Sequence, residues 1–189
     1  MAIPIKDIWY TAVMPFTPGT DKEAWLKYIE WSKLSHLKEV VGMDSSLNES
    51  AFLPDFDDPE AYNIGITIET SFTYCYRNIE YVIKHASAKN QFNLLAVYLN
   101  PTDDVSQFPL PEFEFAGYEL LDQNHQTSAL TNCGGFDETF LPDDLNVFGL
   151  IGSYSKATDI QSRLKENNPM EHHADTNVWA IWRHTKIGR

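Results

Sequence analysis

Apolar residues fall in short blocks along this chain, and the blocks differ in their period. Residues 8–16, 92–99 and 176–183 are apolar on both alternating faces, which is typical of strands that are covered on both sides. Residues 37–43 form a similar short block. Isoleucines alternate with small or polar residues from position 64 to 68, and this predicts a half-buried strand whose end the pattern leaves open.

Three segments have the signals of helices. The sequence Thr20-Asp21-Lys22-Glu23 has the form of a capping box, with Thr20 as the N-cap, and predicts that a helix begins there. Asn78 is suited to cap a second helix. A third begins at Ser155 or Thr158 and ends before Asn167. The first helix carries an aromatic stripe that we interpret as core: Ala24, Trp25, Tyr28, Ile29 and Trp31.

The middle of the chain predicts a β-hairpin. Two apolar runs between residues 113 and 136 flank a polar segment. The second run ends in Asn132-Cys133-Gly134-Gly135, where paired glycines allow positive φ and close backbone approach. Because both runs are apolar at nearly every position, we expect the hairpin, residues 113–133, to lie in the middle of the sheet. Gly134 and Gly135 are expected to form a turn that side chains cannot replace.

The order of these elements predicts one α+β domain over residues 1–189, with a mostly antiparallel sheet and about three packed helices. Residues 101–111 hold three prolines and form the longest candidate linker. We place no domain boundary there, because the half on either side has too few strands to close a core. Residues 44–59 are polar, proline-containing and acidic, and they predict a surface loop.

Composition narrows the classes of function. The 14 Lys and Arg against 27 Asp and Glu give a net charge of −13, which repels nucleic acid and anionic membranes and favours solubility or a basic protein partner. Two cysteines are too few for a disulfide framework, and the N-terminal residues do not resemble a secretion signal, so we expect a cytoplasmic protein. Phosphate-loop and dinucleotide motifs do not occur, and no cofactor is predicted.

One set of residues could carry chemistry. Cys133 with His172 or His173 and Asp175 would supply a nucleophile, an imidazole that lowers the thiol pKa and a carboxylate that orients the imidazole. Cys133 is equally consistent with a small buried residue. Glu171, His172, His173 and Asp175 could also bind a divalent transition metal. Adjacent histidines on a strand point to opposite faces, so at most one would easily join a given site. We favour the alternative in which the histidines lie in a loop before the last strand, and no metal site is predicted.

A second set could carry binding. Trp179 and Arg183 in the last strand would present an aromatic and cationic surface to a partner, or would bury that strand in the core. Asn132, Gly134 and Gly135 are also candidate binding residues, because a turn frees backbone N–H groups.

The sequence has two resemblances, one in particular stretches and one in overall composition. Gly117–Leu121, Ser128–Phe136 and the segment from His173 to Arg183 resemble sequences shared by a group of uncharacterised bacterial proteins, over most of the chain from Asp44 onward. That resemblance implies no activity. In bulk composition the chain also resembles bacterial immunity proteins, which are small acidic cytoplasmic antitoxins. We therefore expect a non-enzymatic protein-binding or inhibitory protein, with a cysteine-dependent hydrolase or transferase as the alternative.

Overall fold

Six strands form a single antiparallel sheet in the part of the chain that the computed structural model describes. The described residues are 7–52, 57, 65–66 (backbone only), 74–86, 91–122, 127–132, 141–167 and 169–187. The strands are β1 (Trp9–Val13), β2 (Gly65–Ile66), β3 (Cys75–Tyr76), β4 (Asn93–Leu99), β5 (Phe113–Asp122) and β6 (Thr176–His184). The helices are α1 (Lys22–Ser32), α2 (Ile79–Ala86) and α3 (Tyr154–Asn167), with 3₁₀ turns at Pro142–Asp144 and His172–Ala174.

The strand order across the sheet is β2-β3-β1-β4-β6-β5. Every strand pair is antiparallel. This is the α+β class that the sequence predicts, and the described residues contain the three expected helices. None of the helices in the described ranges has the length and apolar character that a membrane crossing requires.

The central strands confirm the two-faced apolar pattern. β4 and β6 have their side chains buried on both sides, and they pair from Leu95 opposite Arg183 to Leu99 opposite Trp179. One face packs on α1 and α3, and the other is covered by irregular segments that include Val41 and Leu150. The predicted strands at residues 92–99 and 176–183 are therefore confirmed within one residue at each end.

The helix caps follow the sequence signals in part. Asn78 caps α2 as predicted, with its side-chain oxygen accepting from the backbone N–H of Glu80 at 2.9 Å. The N-cap of α1 is Asp21 rather than Thr20, and its carboxylate accepts from Ala24 N–H at 2.9 Å. The Thr20 hydroxyl is used one turn earlier, where it donates to the carbonyl of Thr17.

The aromatic stripe on α1 is only partly core. Trp25 and Tyr28 are buried and contact Phe16. Trp31 is 50% exposed, so its prediction as a core residue was wrong. Trp31 follows Tyr28 by three positions and contacts its ring, but it lies at the border between the buried and the exposed face of the helix.

The central hairpin was predicted wrongly. β5 is the edge strand of the sheet, and it pairs with β6 rather than with a second hairpin strand directly after it. The returning arm, residues 127–132, makes a single bridge from Ser128 to Leu121 and then turns. A second bridge, from Ile151 to Tyr118, covers the same edge. The segments around Ser128 and Ile151 therefore cover this edge of β5, which is why its apolar pattern resembles that of a central strand. Gly134 and Gly135 lie outside the described residues.

A β-bulge between Phe115 and Gly117 sets which way the rest of β5 faces. Gly117 has φ +147°, and a Cβ there would approach Leu150 Cβ to 2.6 Å. The shift places Phe115 and Tyr118 on the same face, where their rings are 5.0 Å apart. Beyond the bulge, alternation turns Glu119 and Asp122 to opposite faces of the strand.

The segment from residue 37 to 52 differs from both of its predictions. Residues 37–43 form no strand, because their backbone bonds go mainly to the irregular segment around Phe148, as from Val41 N–H to its carbonyl at 3.0 Å. The predicted surface loop begins in the core, since Asp44 and Asn48 are buried. The Asn48 amide donates to the carbonyl of Val40 at 2.9 Å. Backbone bonding of these polar side chains explains why a polar sequence is not exposed here.

Candidate functional site

A polar cluster forms where the last residues of β5 meet three other parts of the chain. The turn after Met43 brings Asp44, the end of β5 brings Asp122, and the returning arm brings Asn132. The 3₁₀ turn before β6 brings His172 and His173. Five polar residues, some predicted from the sequence and some not, are thus gathered at one end of the edge strand.

Asp44 organises the cluster. It is 1% exposed, and one carboxylate oxygen accepts from the N–H of Ser46 at 2.9 Å and from its hydroxyl at 2.6 Å. The other oxygen accepts from Ser128 N–H at 2.8 Å and from the Asn132 amide at 2.9 Å. The four donors compensate the carboxylate for the water that it loses on burial. Asp44 therefore fixes the returning arm against the turn that follows Met43.

Glu119 lies fully buried beside this network. Its Oε2 accepts from the backbone N–H of Met43 at 2.9 Å. Burial, together with the like charge of Asp44, raises the pKa of Glu119 to about 8, against a partial lowering by the Met43 bond. A Cβ at Gly42 would overlap Glu119 Oε1, so any other residue there would require the Glu119 carboxyl group to shift. Glu119 consequently keeps its proton to a higher pH than an ordinary glutamate does.

The two histidines are not on a strand. They occupy the 3₁₀ turn His172–Ala174, and their ring centroids are 3.7 Å apart. His173 is 9% exposed and His172 is exposed. Burial, reinforced by the neighbouring His172, lowers the pKa of His173 to about 4, so this imidazole is neutral at physiological pH. The histidines thus precede the last strand, as expected, and in this turn their rings lie side by side rather than on opposite faces.

Asp122 joins the histidines to form a group with the chemistry of metal ligands. Asp122 is buried at the end of β5, opposite Thr176 at the start of β6. One ligand atom from each of Asp122, His172 and His173 lies within 4.8 Å of the others. Two imidazoles and a carboxylate are a donor set that first-row transition metals accept.

The predicted Cys-His-Asp set is only partly assembled. His172 and His173 lie in the cluster, but the Asp175 side chain is mostly exposed and its Oδ1 bonds Lys165 Nζ at 3.2 Å. The carboxylates close to His173 are instead those of Asp122 and Asp44, whose charges act on its ring. Cys133, Gly134 and Gly135 lie outside the described residues, although Asn132, next to Cys133 in the chain, is within the network.

Two other candidate binding residues are structural in their placement. Trp179 is 2% exposed and packs on the sheet face opposite α1 and α3. Arg183 forms an ion pair with Glu39, with Nη1 2.8 Å from Oε2. Asn93 donates to the same carboxylate at 2.7 Å. This placement matches the alternative in which Trp179 and Arg183 bury the last strand. A surface that contacts a partner would then lie elsewhere on the chain.

Sequence reasoning missed Asp44, Glu119 and Asp122. A usable signal exists for two of them, since Glu119 and Asp122 interrupt the apolar run of residues 115–121 or directly follow it. A charged residue inside a strand that is buried on both faces needs a partner or a function. Asp44 carries no such signal, because it begins a polar segment.

Comparisons with known protein families, with curated proteins and with solved structures give no significant match to this chain. They bring no activity, ligand or partner to the cluster.

Proposed function

We propose that this protein is a non-enzymatic binding or inhibitory protein for a basic protein partner. The observation that carries the proposal is the distribution of charge. Between Lys89 and Lys156 the chain has no Lys or Arg and ten Asp and Glu. Glu119 and Asp122 are buried, but most of the other acids that the structure describes in this range are exposed, and Lys186 lies 3.6 Å from Glu112. A mainly acidic surface raises the association rate with an oppositely charged partner. The compositional resemblance to immunity proteins supports the same class.

The contact surface we propose is the acidic edge, which consists of four exposed carboxylates in the loop before β5 and in its first residues. They are Asp103, Asp104, Glu112 and Glu114. The loop folds back along β5, because the Tyr118 hydroxyl accepts from Val105 N–H at 2.9 Å and donates to Asp104 at 2.8 Å. Hydrogen bonds from Ser106 lower the pKa of Asp104 and keep it charged.

Partly exposed aromatic rings lie among these carboxylates. Phe108 and Phe115 are both half-buried, and both rings contact Trp182, at 6.5 Å and 5.4 Å between centroids. Rings that are anchored in the core on one side lose little conformational freedom when a partner covers the other side. The acidic edge thus combines steering charge with apolar area, as protein-binding surfaces do.

Site-specific photocrosslinking in the producing cell tests the proposal. A photoreactive residue replaces exposed Gln107, within the acidic edge, and a matched control replaces exposed Glu166 at the end of α3. We expect position 107, and not position 166, to capture a protein of basic isoelectric point. The yield should fall as salt is raised, because salt screens exposed charge. The same adducts at both positions, or adducts with proteins that are not basic, would contradict the proposal.

A pair of charge-matched variants sharpens this test. One neutralises the acidic edge as Asp103→Asn, Asp104→Asn, Glu112→Gln and Glu114→Gln, and asparagine at position 104 still accepts from Tyr118. The control neutralises four exposed acids on helices, as Glu23→Gln, Glu30→Gln, Asp159→Asn and Glu166→Gln. We expect the first variant to reduce capture at position 107 roughly 10-fold or more, and the control to leave it near wild type. Equal losses in both would place the contact elsewhere.

A cysteine-dependent hydrolase or transferase is the second candidate. It is supported by the neutral imidazole of His173 and by the charge of Asp44, which acts on His173 and holds Asn132, the residue before Cys133. Cys75 provides an internal control, because burial raises its thiol pKa to about 12 and silences it at neutral pH. Iodoacetamide labelling of the folded protein therefore reports Cys133.

For the enzyme we expect the labelling pH profile to give a thiol pKa well below the ordinary value of about 8.5. His173→Asn should return that pKa toward the ordinary value. A thiol that titrates normally, or that reacts only on unfolding, would argue against the enzyme.

A further inference from the structure

We propose that Asp122, His172 and His173 form a binding site for a divalent first-row transition-metal ion, with zinc as the ion that best fits the donors. The site is independent of the acidic edge and of any protein partner. It differs from the sequence prediction, in which the histidines lie in a loop before the last strand and form no metal site.

The first argument is distance. The three candidate ligand atoms lie within 4.8 Å of one another. Tetrahedral ligands at about 2.1 Å from zinc are separated by about 3.4 Å, so closure requires side-chain movements on the order of 1 Å. His172 is exposed, and its side chain has room to make that movement.

The second argument is the scaffold. Asp122 is held at the end of β5 by its pairing with Thr176, the first residue of β6. The histidines lie in the 3₁₀ turn that leads into the same strand, and this turn is closed by a bond from Ala174 N–H to the Glu171 carbonyl at 3.0 Å. Both sides of the site are therefore fixed by one strand pair. A ligand on a strand holds a metal more precisely than a ligand on a loop, and in this site Asp122 is the ligand that lies on a strand.

The third argument is a buried nitrogen that lacks a partner. His173 is more than nine-tenths buried, and within the described ranges its Nδ1 has no hydrogen-bond partner. Buried polar atoms in native proteins are nearly always satisfied by protein, water or an ion. A metal ion bound to Nδ1 supplies the interaction that this atom lacks.

The donors and the surrounding charge select the kind of ion. Two imidazoles with a carboxylate suit zinc, iron or cobalt, whereas calcium and magnesium prefer oxygen ligands alone. The Asp122 carboxylate within the set supplies a negative charge that pairs with a cation. Three protein ligands leave at least one coordination position for water, as in open zinc sites.

The test is a zinc titration of the untagged full-length protein after removal of metals with EDTA. We expect calorimetry to show one zinc ion per chain. His172→Ala should weaken binding roughly 100-fold or more, because it removes a ligand. This residue is exposed, so the variant should keep its fold, and circular dichroism checks that it does. His36→Ala is the control, since His36 bonds the Leu145 carbonyl away from the cluster.

A second variant and a cobalt spectrum test the same three ligands independently. Asp122→Asn should weaken zinc binding as His172→Ala does, and cobalt added to the wild type should give a visible spectrum that zinc displaces. The proposal is overturned if the metal-free wild type takes up no stoichiometric zinc. It is also overturned if His172→Ala and His36→Ala bind zinc as tightly as the wild type, or lose binding equally.

Discussion

Two buried glutamates are stabilised in different ways. Glu39 belongs to the irregular segment 37–43 that covers one face of the sheet, and Glu119 lies on β5 beneath the same segment. Glu39 lies against β4 and β6, where Arg183 forms an ion pair at 2.8 Å and Asn93 donates at 2.7 Å. Glu119 lies on β5, accepts from Met43 N–H, and has the like-charged Asp44 as a charged neighbour. A cation compensates the first carboxylate, whereas burial favours the protonated form of the second.

The difference shows how each end of the sheet responds to its environment. The Glu39 end depends on a specific residue pair. The Glu119 end depends on a proton, and the proton is lost within the alkaline range where proteins are often handled. The cluster around Asp44 and His173 sits at this second end, so conditions that ionise Glu119 act on the candidate site as well.

The largest effect is expected when the ion pair is broken from the cationic side. Arg183→Met leaves the Glu39 carboxylate buried without its counter-charge, and we expect a loss of about 3–5 kcal/mol in the free energy of unfolding. Urea unfolding monitored by tryptophan fluorescence measures it. The double variant Arg183→Met with Glu39→Leu should recover a large part of the loss. A single variant as stable as wild type would mean that Arg183 contributes no structural pairing, and its role as a binding residue would reopen.

Substitution of Glu119 is expected to raise the free energy of unfolding, by an amount that depends on pH. The folded-state pKa of Glu119 is raised to about 8, above its ordinary value of 4.5, so the folded protein binds the extra proton between these pH values. Stability contributed by this proton is present at low pH and falls as pH rises through that range, by at most about 1.4 kcal/mol per pH unit. Glu119→Gln should remove this slope and be the more stable protein near the upper end.

Unfolding curves in the presence of EDTA, taken across that pH range for both proteins, give the measurement. The difference between wild type and variant cancels the contribution of His173, whose pKa is shifted downward in both. A pH dependence that is unchanged by the substitution would show that Glu119 does not carry the proton.

The fold class and the central strands could be predicted because their signals are local. β4 and β6 are apolar on both faces, and that pattern arises from burial that any central strand has. The same signal misled for β5, which is an edge strand covered by isolated bridges to Ser128 and Ile151. Apolar periodicity reports burial and says nothing about which neighbour provides it.

The candidate site could be predicted only in part, for a related reason. The histidine pair is visible in the sequence, but its geometry depends on a 3₁₀ turn that the strand pattern did not indicate. Asp44 reaches Ser128 across 84 residues of chain, and Asn132 across 88. Contacts at that separation come from the tertiary fold, so neither spacing nor motif in a single sequence could associate them.

The smallest effect concerns two asparagines that bond the two kinds of carboxylate. Asn93 donates to Glu39 at 2.7 Å and is 1% exposed, whereas Asn132 donates to Asp44 at 2.9 Å and is only partly buried. A lost bond to a buried charge costs about 1.5–3 kcal/mol, while water can replace part of the Asn132 interaction. We therefore expect Asn132→Ala to cost about 1 kcal/mol and Asn93→Ala at least twice as much.

Hydrogen exchange distinguishes what Asn132 does from a general loss of stability. The Ser128 amide donates to the same Asp44 oxygen as Asn132 does, at 2.8 Å, so its protection reports whether the arm remains docked. In Asn132→Ala we expect faster exchange at Ser128 with little change in β4, because local opening of the arm does not require the sheet to unfold. If exchange at Ser128 is unchanged, Asp44 alone holds the arm, and the residue before Cys133 is not part of what positions it.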